Sequence, residues 1–267
     1  CSTAALSWMP CSEKRSRKMA EISEYLNRII CDDCLSVMRD MPDQSVDLFV
    51  TSPPYNLKNS SGNGMKHNTR SGKWASAALR FGYSDYDDCM PHEKYVEWQR
   101  ACLTEMFRLL KDDGAIFYNH KWRVQNGLLQ DRQDIVSGFP VRQIIIWRRK
   151  GGINFNPGYF LPTYEVIYMI AKPKFKLAPK ANAAGDVWEF TQEMNNSHPA
   201  PFPVDLIKRI ISSTNARIVF DPFMGSGTTA IAAIDLNRNY IGTEISRQYC
   251  DSAETRIQEF KTKLTLF

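Results

Sequence analysis

Apolar and polar positions change rhythm at residue 28, where short runs rich in Ile, Val, Phe and Tyr begin to alternate with stretches of helical spacing. The runs predict strands over 28–31, 46–50, 115–119, 143–148, 164–171, 217–220 and 240–243. The spacing between them predicts helices over 34–39, 92–110 and 204–212, one between the last two strands, and a charged one over 247–263. On the 92–110 helix, Tyr95, Trp98, Leu103, Phe107 and Leu110 share one broad face. Strand, helix and strand within residues 28–50 imply a parallel sheet with right-handed crossovers, so the expected fold class is α/β.

Other stretches lack a period. Residues 57–90 hold several Gly, Ser and Asn together with Lys58, Lys66, His67, Arg70, Lys73, Trp74 and Arg80. A long polar loop inside a compact domain is expected to act as a functional lid. Residues 151–163 are rich in Gly and Asn, and 172–198 form a linker rich in Lys, Pro, Ala and Asn around the patch Val187-Trp188-Glu189-Phe190. Residues 1–27 are expected to be a flexible basic tail, and 28–267 a single domain. In the tail, Lys14-Arg15-Ser16-Arg17-Lys18 suits a nuclear localisation signal, a phosphate-binding arm or a merely solvated surface, and Met19 could equally be a start.

Composition narrows this only a little. Hydrophobic residues at 43% and charged residues at 24% are those of a soluble globular protein. No apolar run approaches membrane-spanning length. The net charge of +5 permits a polyanionic partner without requiring one. Seven scattered cysteines suit reduced thiols inside a cell, nuclear in a eukaryote and cytoplasmic otherwise. Cys31-Asp32-Asp33-Cys34 is a lone C-x-x-C with no second pair and no His at zinc spacing, so no metal site is expected.

Two stretches carry chemistry. The strand 46–50 runs into Thr51-Ser52-Pro53-Pro54-Tyr55-Asn56. Neither proline can continue a ladder, so the chain must leave the sheet stiffly, presenting a hydroxyl, carbonyls and an aromatic ring to a cleft. Pro-Pro alone would equally suit an ordinary turn. Further on, Ile218-Val219-Phe220-Asp221-Pro222-Phe223-Met224-Gly225-Ser226-Gly227-Thr228-Thr229-Ala230 reads as strand, glycine-rich turn and helix start. A P-loop would need Gly-Lys-Ser/Thr after the glycines, and a dinucleotide fold G-x-G-x-x-G; neither is present. A nucleoside-type ligand without phosphate remains, with Asp221 at a strand end where it could pair an ammonium group. One strand later, Tyr240-Ile241-Gly242-Thr243-Glu244-Ile245 puts Glu244 where an acid can grip the two hydroxyls of a ribose. A ribose and an ammonium group without phosphate describe S-adenosylmethionine, although each acid alone would also suit a helix cap or the surface.

Together these residues resemble the β-class DNA amino-methyltransferases. The stretch Asp221-Pro222-Phe223-Met224-Gly225-Ser226-Gly227-Thr228-Thr229 is similar to their cofactor motif, and Ser52-Pro53-Pro54-Tyr55 to their catalytic motif. The order, catalytic motif first, resembles the circularly permuted arrangement. Asn196-Ser197-His198-Pro199-Ala200-Pro201-Phe202-Pro203 is similar to the segment before the cofactor strand, and Asp32-Asp33-Cys34-Leu35 to the turn at the adenine end. Trp147-Arg148-Arg149-Lys150 and Thr163-Tyr164-Glu165-Val166 fit as well, so the resemblance spans 29–249.

The resemblance implies a Rossmann-like S-adenosylmethionine-dependent methyltransferase fold, with a mostly parallel seven-stranded sheet and one antiparallel hairpin strand. Carried over by position, it implies that Asp221 faces the methionyl ammonium, Glu244 the ribose, and Asp33 with Cys34 the adenine. Phe223, Gly225, Ser226, Gly227 and Thr228 would line the pocket, with His198 and Pro199 near the methionine moiety. Ser52 and the Pro53 carbonyl would accept hydrogen bonds from the exocyclic amine of a flipped base, aiming its lone pair at the methyl carbon; Pro54 completes the turn and Tyr55 would stack on the base. No covalent enzyme intermediate is needed.

Within the family, Ser at the first motif position is more typical of cytosine-N4 enzymes and Asp or Asn of adenine-N6 enzymes, so cytosine N4 is the expectation and adenine N6 the alternative. Contacts with double-stranded DNA are expected from Asn56, Lys58, Lys66, Arg70 and Lys73, from Arg148, Arg149 and Lys150, and from a short recognition segment over 172–195. Segments this short predict a short or relaxed target, and a homodimer is compatible with the chain. One rival is a non-catalytic DNA- or nucleotide-binding module, for which a degenerate catalytic turn would be expected. The other is an RNA or protein amine methyltransferase, which usually carries Asp or Asn at the first position and seldom this permuted order.

Overall fold

The computed structural model describes residues 21–56, 90–125, 128–149, 157–191 and 202–264, so the Lys14–Lys18 cluster lies outside the described residues. In chain order the elements are β1 (Arg28–Ile30), α1 (Cys34–Asp40), β2 (Val46–Thr51), α2 (His92–Leu109), β3 (Leu110–His120), β4 (Arg123–Gln125), β5 (Leu128–Gln130) and α3 (Gln133–Val136). There follow β6 (Val141–Arg148), β7 (Tyr164–Ala171), β8 (Val187–Glu189), α4 (Val204–Ser212), β9 (Ile218–Asp221), α5 (Thr228–Asp235), β10 (Asn239–Thr243) and α6 (Arg247–Leu264). Among the described residues, no helix is long and apolar enough to cross a membrane.

One eight-stranded sheet runs in the order β1-β10-β9-β2-β3-β7-β6-β8, and β4 pairs only with β5. The strands from β1 to β3 are mutually parallel. The expected antiparallel strand is β7, which opposes both β3 and β6. The extra strand, β8, lies parallel to β6 in what the sequence suggests is linker. Aromatic anchors hold it there: Trp188 is buried, the Arg209 guanidinium lies 5.5 Å from its ring, and Trp147 Nε1 donates to the Phe190 carbonyl at 3.0 Å.

Alternation along the strands builds two cores. Leu48 and Val50 of β2 face α4, α5 and α6, while Phe49 faces α1 and α2 with Phe220 at 5.1 Å between ring centroids. With both faces covered, β2 reads as an almost unbroken apolar run, as central parallel strands do. The exception, Asp47, accepts the N–H groups of Arg217 and Ile218 at 3.0 and 2.8 Å and binds Lys111 Nζ at 2.7 Å, fastening β2 to the starts of β9 and β3.

Connectivity opens the site. After β9 the chain crosses through α5 to β10 on one side, whereas after β2 it crosses through α2 to β3 on the other. The adjacent carboxyl ends of β9 and β2 therefore flank a topological switch point, where an open α/β sheet leaves a crevice for a ligand.

Candidate active site

On the β9 side, Asp221 ends its strand almost fully buried. Its Oδ1 accepts the Thr51 hydroxyl at 2.7 Å and the Phe223 N–H at 3.0 Å, and its Oδ2 the Thr229 hydroxyl at 2.6 Å. One carboxylate thus ties together β9, β2 and the start of α5. Burial pushes this carboxyl from its ordinary 3.8 up to about 6, with Glu244 pushing the same way, while Thr229, Thr51 and the Phe223 N–H pull it down. Glu244, just beyond β10, accepts the Gly225 N–H at 2.9 Å and the Ser246 N–H at 3.0 Å, clasping the glycine turn. Gly225 and Gly227 sit in the left-handed region at φ +53° and +82°, and a Cβ on Gly227 would come 3.1 Å from Ala253 Cβ. Phe223 meets Trp98 edge-on at 5.6 Å.

On the β2 side, the Ser52–Tyr55 turn is held from beneath. Tyr95 Oη donates to the Pro54 carbonyl at 2.8 Å and lies 2.6 Å from His120 Nε2. The Pro53 carbonyl accepts no hydrogen bond from any described residue. Ser52 Oγ is 2.6 Å from Tyr55 Oη, which donates to Glu165 Oε2 at 3.0 Å. Asn119 Nδ2 lies 3.2 Å from Ser52 Oγ, 2.7 Å from Tyr55 Oη and 2.8 Å from Glu165 Oε2. Glu165 Oε1 pairs with Arg149 at 3.1 Å. Beside them, burial pulls the Lys121 ammonium down, Arg149 acting in the same direction and Glu165 opposing.

The structure thus brings together Ser52, Pro53, Asp221, Phe223, Gly225 and Glu244 at the expected edge. Several of the expected side chains are engaged within the protein. Tyr55, expected to stack on a base, is buried with its ring 4.9 Å from that of His120 and its hydroxyl inside the network. Asn56, expected on the DNA face, is fully buried at φ +55°, and its amide donates to the Met90 carbonyl at 2.7 Å. Arg149 turns inward to Glu165, leaving Arg148 as the exposed member of the pair, in a salt bridge with Glu189.

Around the glycine turn, Ser226 Oγ and Thr228 Oγ1 face Arg256 of α6, at 3.3 and 3.0 Å. Asp33 caps α1, its Oδ1 accepting the N–H and hydroxyl of Ser36 at 2.9 and 3.0 Å. The Cys34 thiol packs in the core 3.9 Å from that of Cys102 of α2, while the free thiol of Cys31 neighbours that of Cys250 of α6, so the two thiols of the C-x-x-C face different helices. Lys58, Lys66, Arg70, Lys73, Lys150, His198 and Pro199 lie outside the described residues.

The stretch Thr163-Tyr164-Glu165-Val166 fits the resemblance, but no feature of the sequence assigned the residues beneath the turn their role. Asn119 and His120 stand as polar residues ending a buried strand at its carboxyl edge, and Glu165 as an acid at the head of an otherwise apolar strand.

Known proteins are similar to this chain in sequence and in fold. The N6/N4 family model, described as DNA methylase, matches residues 46–255. The type II methyltransferase M.BglII of Bacillus subtilis is 30% identical over 272 residues, covering 86% of this chain and 68% of its own. Among solved structures, the PvuII cytosine-N4-specific DNA methyltransferase superposes with a TM-score of 0.65 at 17% identity, over 85% of each chain. The Thermus thermophilus protein TTHA0409, complexed with S-adenosyl-L-methionine, superposes with a TM-score of 0.62 at 24% identity, over 87% of this chain and 93% of its own.

Proposed function

This chain belongs to the N6/N4 DNA methylase family, and from that premise we propose that it transfers a methyl group from S-adenosylmethionine to the exocyclic amine of a base flipped out of duplex DNA, cytosine N4 in preference to adenine N6. The observation that carries the reading is the 2.7 Å bond from Thr51 to Asp221, which sets the acceptors of Ser52 and Pro53 beside the acids Asp221 and Glu244 across the switch-point crevice. The residues fit the cofactor. Asp221, its carboxyl lifted only to about 6, is mainly ionised at neutral pH and suits a cationic ligand, and Glu244 stands at the next strand end for a ribose. When bound, S-adenosylmethionine supplies an electrophilic methyl group on a sulfonium.

The chain supplies orientation. Ser52 Oγ and the Pro53 carbonyl each accept one N–H of the amine, which turns its lone pair out of the ring plane and toward the methyl carbon. Tyr55 holds Ser52 Oγ from behind, and Tyr95 holds the turn through the adjoining Pro54 carbonyl. A hydroxyl can orient either amine; the preference for cytosine N4 rests on Ser52 at the first motif position, which is more typical of cytosine-N4 members of the family. Arg148, on the same edge of the sheet, grips phosphate, which positions DNA without specifying its sequence. Much of the recognition segment is spent on packing β8 and Trp188, which supports a short or relaxed target.

The test is incubation with labelled S-adenosylmethionine and unmethylated duplex DNA, digestion to nucleosides, and identification of the modified base by mass. N4-methylcytosine is the expected product. N6-methyladenine would overturn the base assignment, and unlabelled DNA with cofactor still bound would overturn the reaction.

A further inference from the structure

Building on the methyl-transfer reading, we propose that Glu165 is a positioning residue that fixes the direction of hydrogen bonding at Ser52, so that Oγ meets the substrate amine only as an acceptor. Glu165, paired through Oε1 with Arg149 at 3.1 Å, is an acceptor at both oxygens. Its Oε2 is met by Tyr55 Oη at 3.0 Å and Asn119 Nδ2 at 2.8 Å, and both must donate. Tyr55 has one proton and gives it to Glu165, so at the 2.6 Å contact with Ser52 the tyrosine oxygen has to accept. The Ser52 proton therefore points inward. The two protons of Asn119 Nδ2 go to its nearer acceptors, Tyr55 Oη at 2.7 Å and Glu165 Oε2 at 2.8 Å, so Ser52 Oγ keeps its lone pairs and offers them to the crevice.

The opposite direction would aim the Ser52 O–H at the N–H of the amine, donor against donor. Asn119 shows the same constraint: turning Nδ2 toward the carboxylate leaves its Oδ1 buried without a hydrogen-bond partner. Glu165 lies two strands from Ser52 and acts entirely through Tyr55 and Asn119.

Glu165→Gln tests this at almost constant shape. The glutamine oxygen is claimed by Arg149, so its NH2 group turns to Tyr55 and Asn119 and reverses the chain of bonds. In single-turnover methylation of duplex DNA, the rate is expected to fall about 100-fold, as for loss of one oriented partner at a reacting centre. Cofactor and DNA affinities are expected to hold. Ser52→Ala alone also slows transfer, and adding Glu165→Gln to it is expected to cause no further loss, because the hydroxyl whose direction it sets is gone. If Glu165→Gln fails to fold, Tyr55→Phe cuts the same chain without unpairing a charge, and the same loss and the same non-additivity are expected. A Glu165→Gln rate equal to wild type, or losses that multiply with Ser52→Ala, would overturn the proposal while leaving the function standing. Wild-type protein that methylates no DNA would overturn both.

Discussion

Exchanging Asp221 for Asn separates stability from ligand binding, which the ordinary loss of a buried polar group would not do. Burial displaces the Asp221 carboxyl from 3.8 to about 6, and such a displacement corresponds to about 3 kcal/mol held against the ionised form at neutral pH. Asparagine carries no charge. Its oxygen can keep the Thr51 hydroxyl and the Phe223 N–H, and a rotation of the Thr229 hydroxyl lets it accept from the new NH2 group. Ligand-free Asp221→Asn is therefore expected to melt no lower than wild type at pH 7.5, the gain being bounded by that 3 kcal/mol. Cofactor binding moves the other way. Losing one charge-assisted bond to an ammonium costs about 1.5–3 kcal/mol, or about 10- to 150-fold in affinity. Calorimetric melting without ligand, and titration with both S-adenosylmethionine and S-adenosylhomocysteine, measure the two effects. Both ligands carry the ammonium, so both should weaken by the same factor. A variant that melts far below wild type, or binds both ligands unchanged, would refute the reasoning.

The pH dependence follows from the same group: folded Asp221 holds its proton more tightly than the unfolded chain, so its contribution to stability grows as pH falls from about 6 toward 4. Neutralising it weakens a cationic ligand, so the S-adenosylmethionine dissociation constant at pH 5 should be about tenfold that at pH 7, and a flat titration profile would contradict this. Gly227→Ala forces a side chain into φ +82° with its Cβ 3.1 Å from Ala253, and urea unfolding should show a loss of about 1–3 kcal/mol. Arg148→Gln should weaken binding to all duplexes alike and lower the salt slope by about 1; a loss confined to one sequence would count against a phosphate contact.

The order and faces of the helices and strands were legible because periodicity and burial coincide in this sheet: α4 runs over Val204–Ser212 as the spacing predicts, and the apolar run of β2 ends where the prolines force it to. The motifs were legible as backbone devices, glycines at positive φ and prolines at a strand end. Side-chain direction was harder. Spacing alone does not say that Thr228 turns toward Arg256, which arrives from α6, or that Arg149 turns in to Glu165 while its neighbour faces water. Strand β8 was missed because three residues are too few to show a period; its place is set by Trp188 and Phe190 against Arg209, contacts between distant parts of the chain. The network under Ser52 joins residues from β2, β3 and β7 that only the sheet order brings together.

The central claim is that the crevice between the ends of β9 and β2 delivers a methyl group to an amine held by Ser52 and Pro53. A crystal structure with S-adenosylhomocysteine bound tests it most directly. The account predicts the amino group within hydrogen-bonding distance of Asp221, the ribose hydroxyls on Glu244, and the sulfur facing Ser52 and the Pro53 carbonyl. A nucleoside bound elsewhere on the sheet, or a sulfur turned away from Ser52, would contradict it.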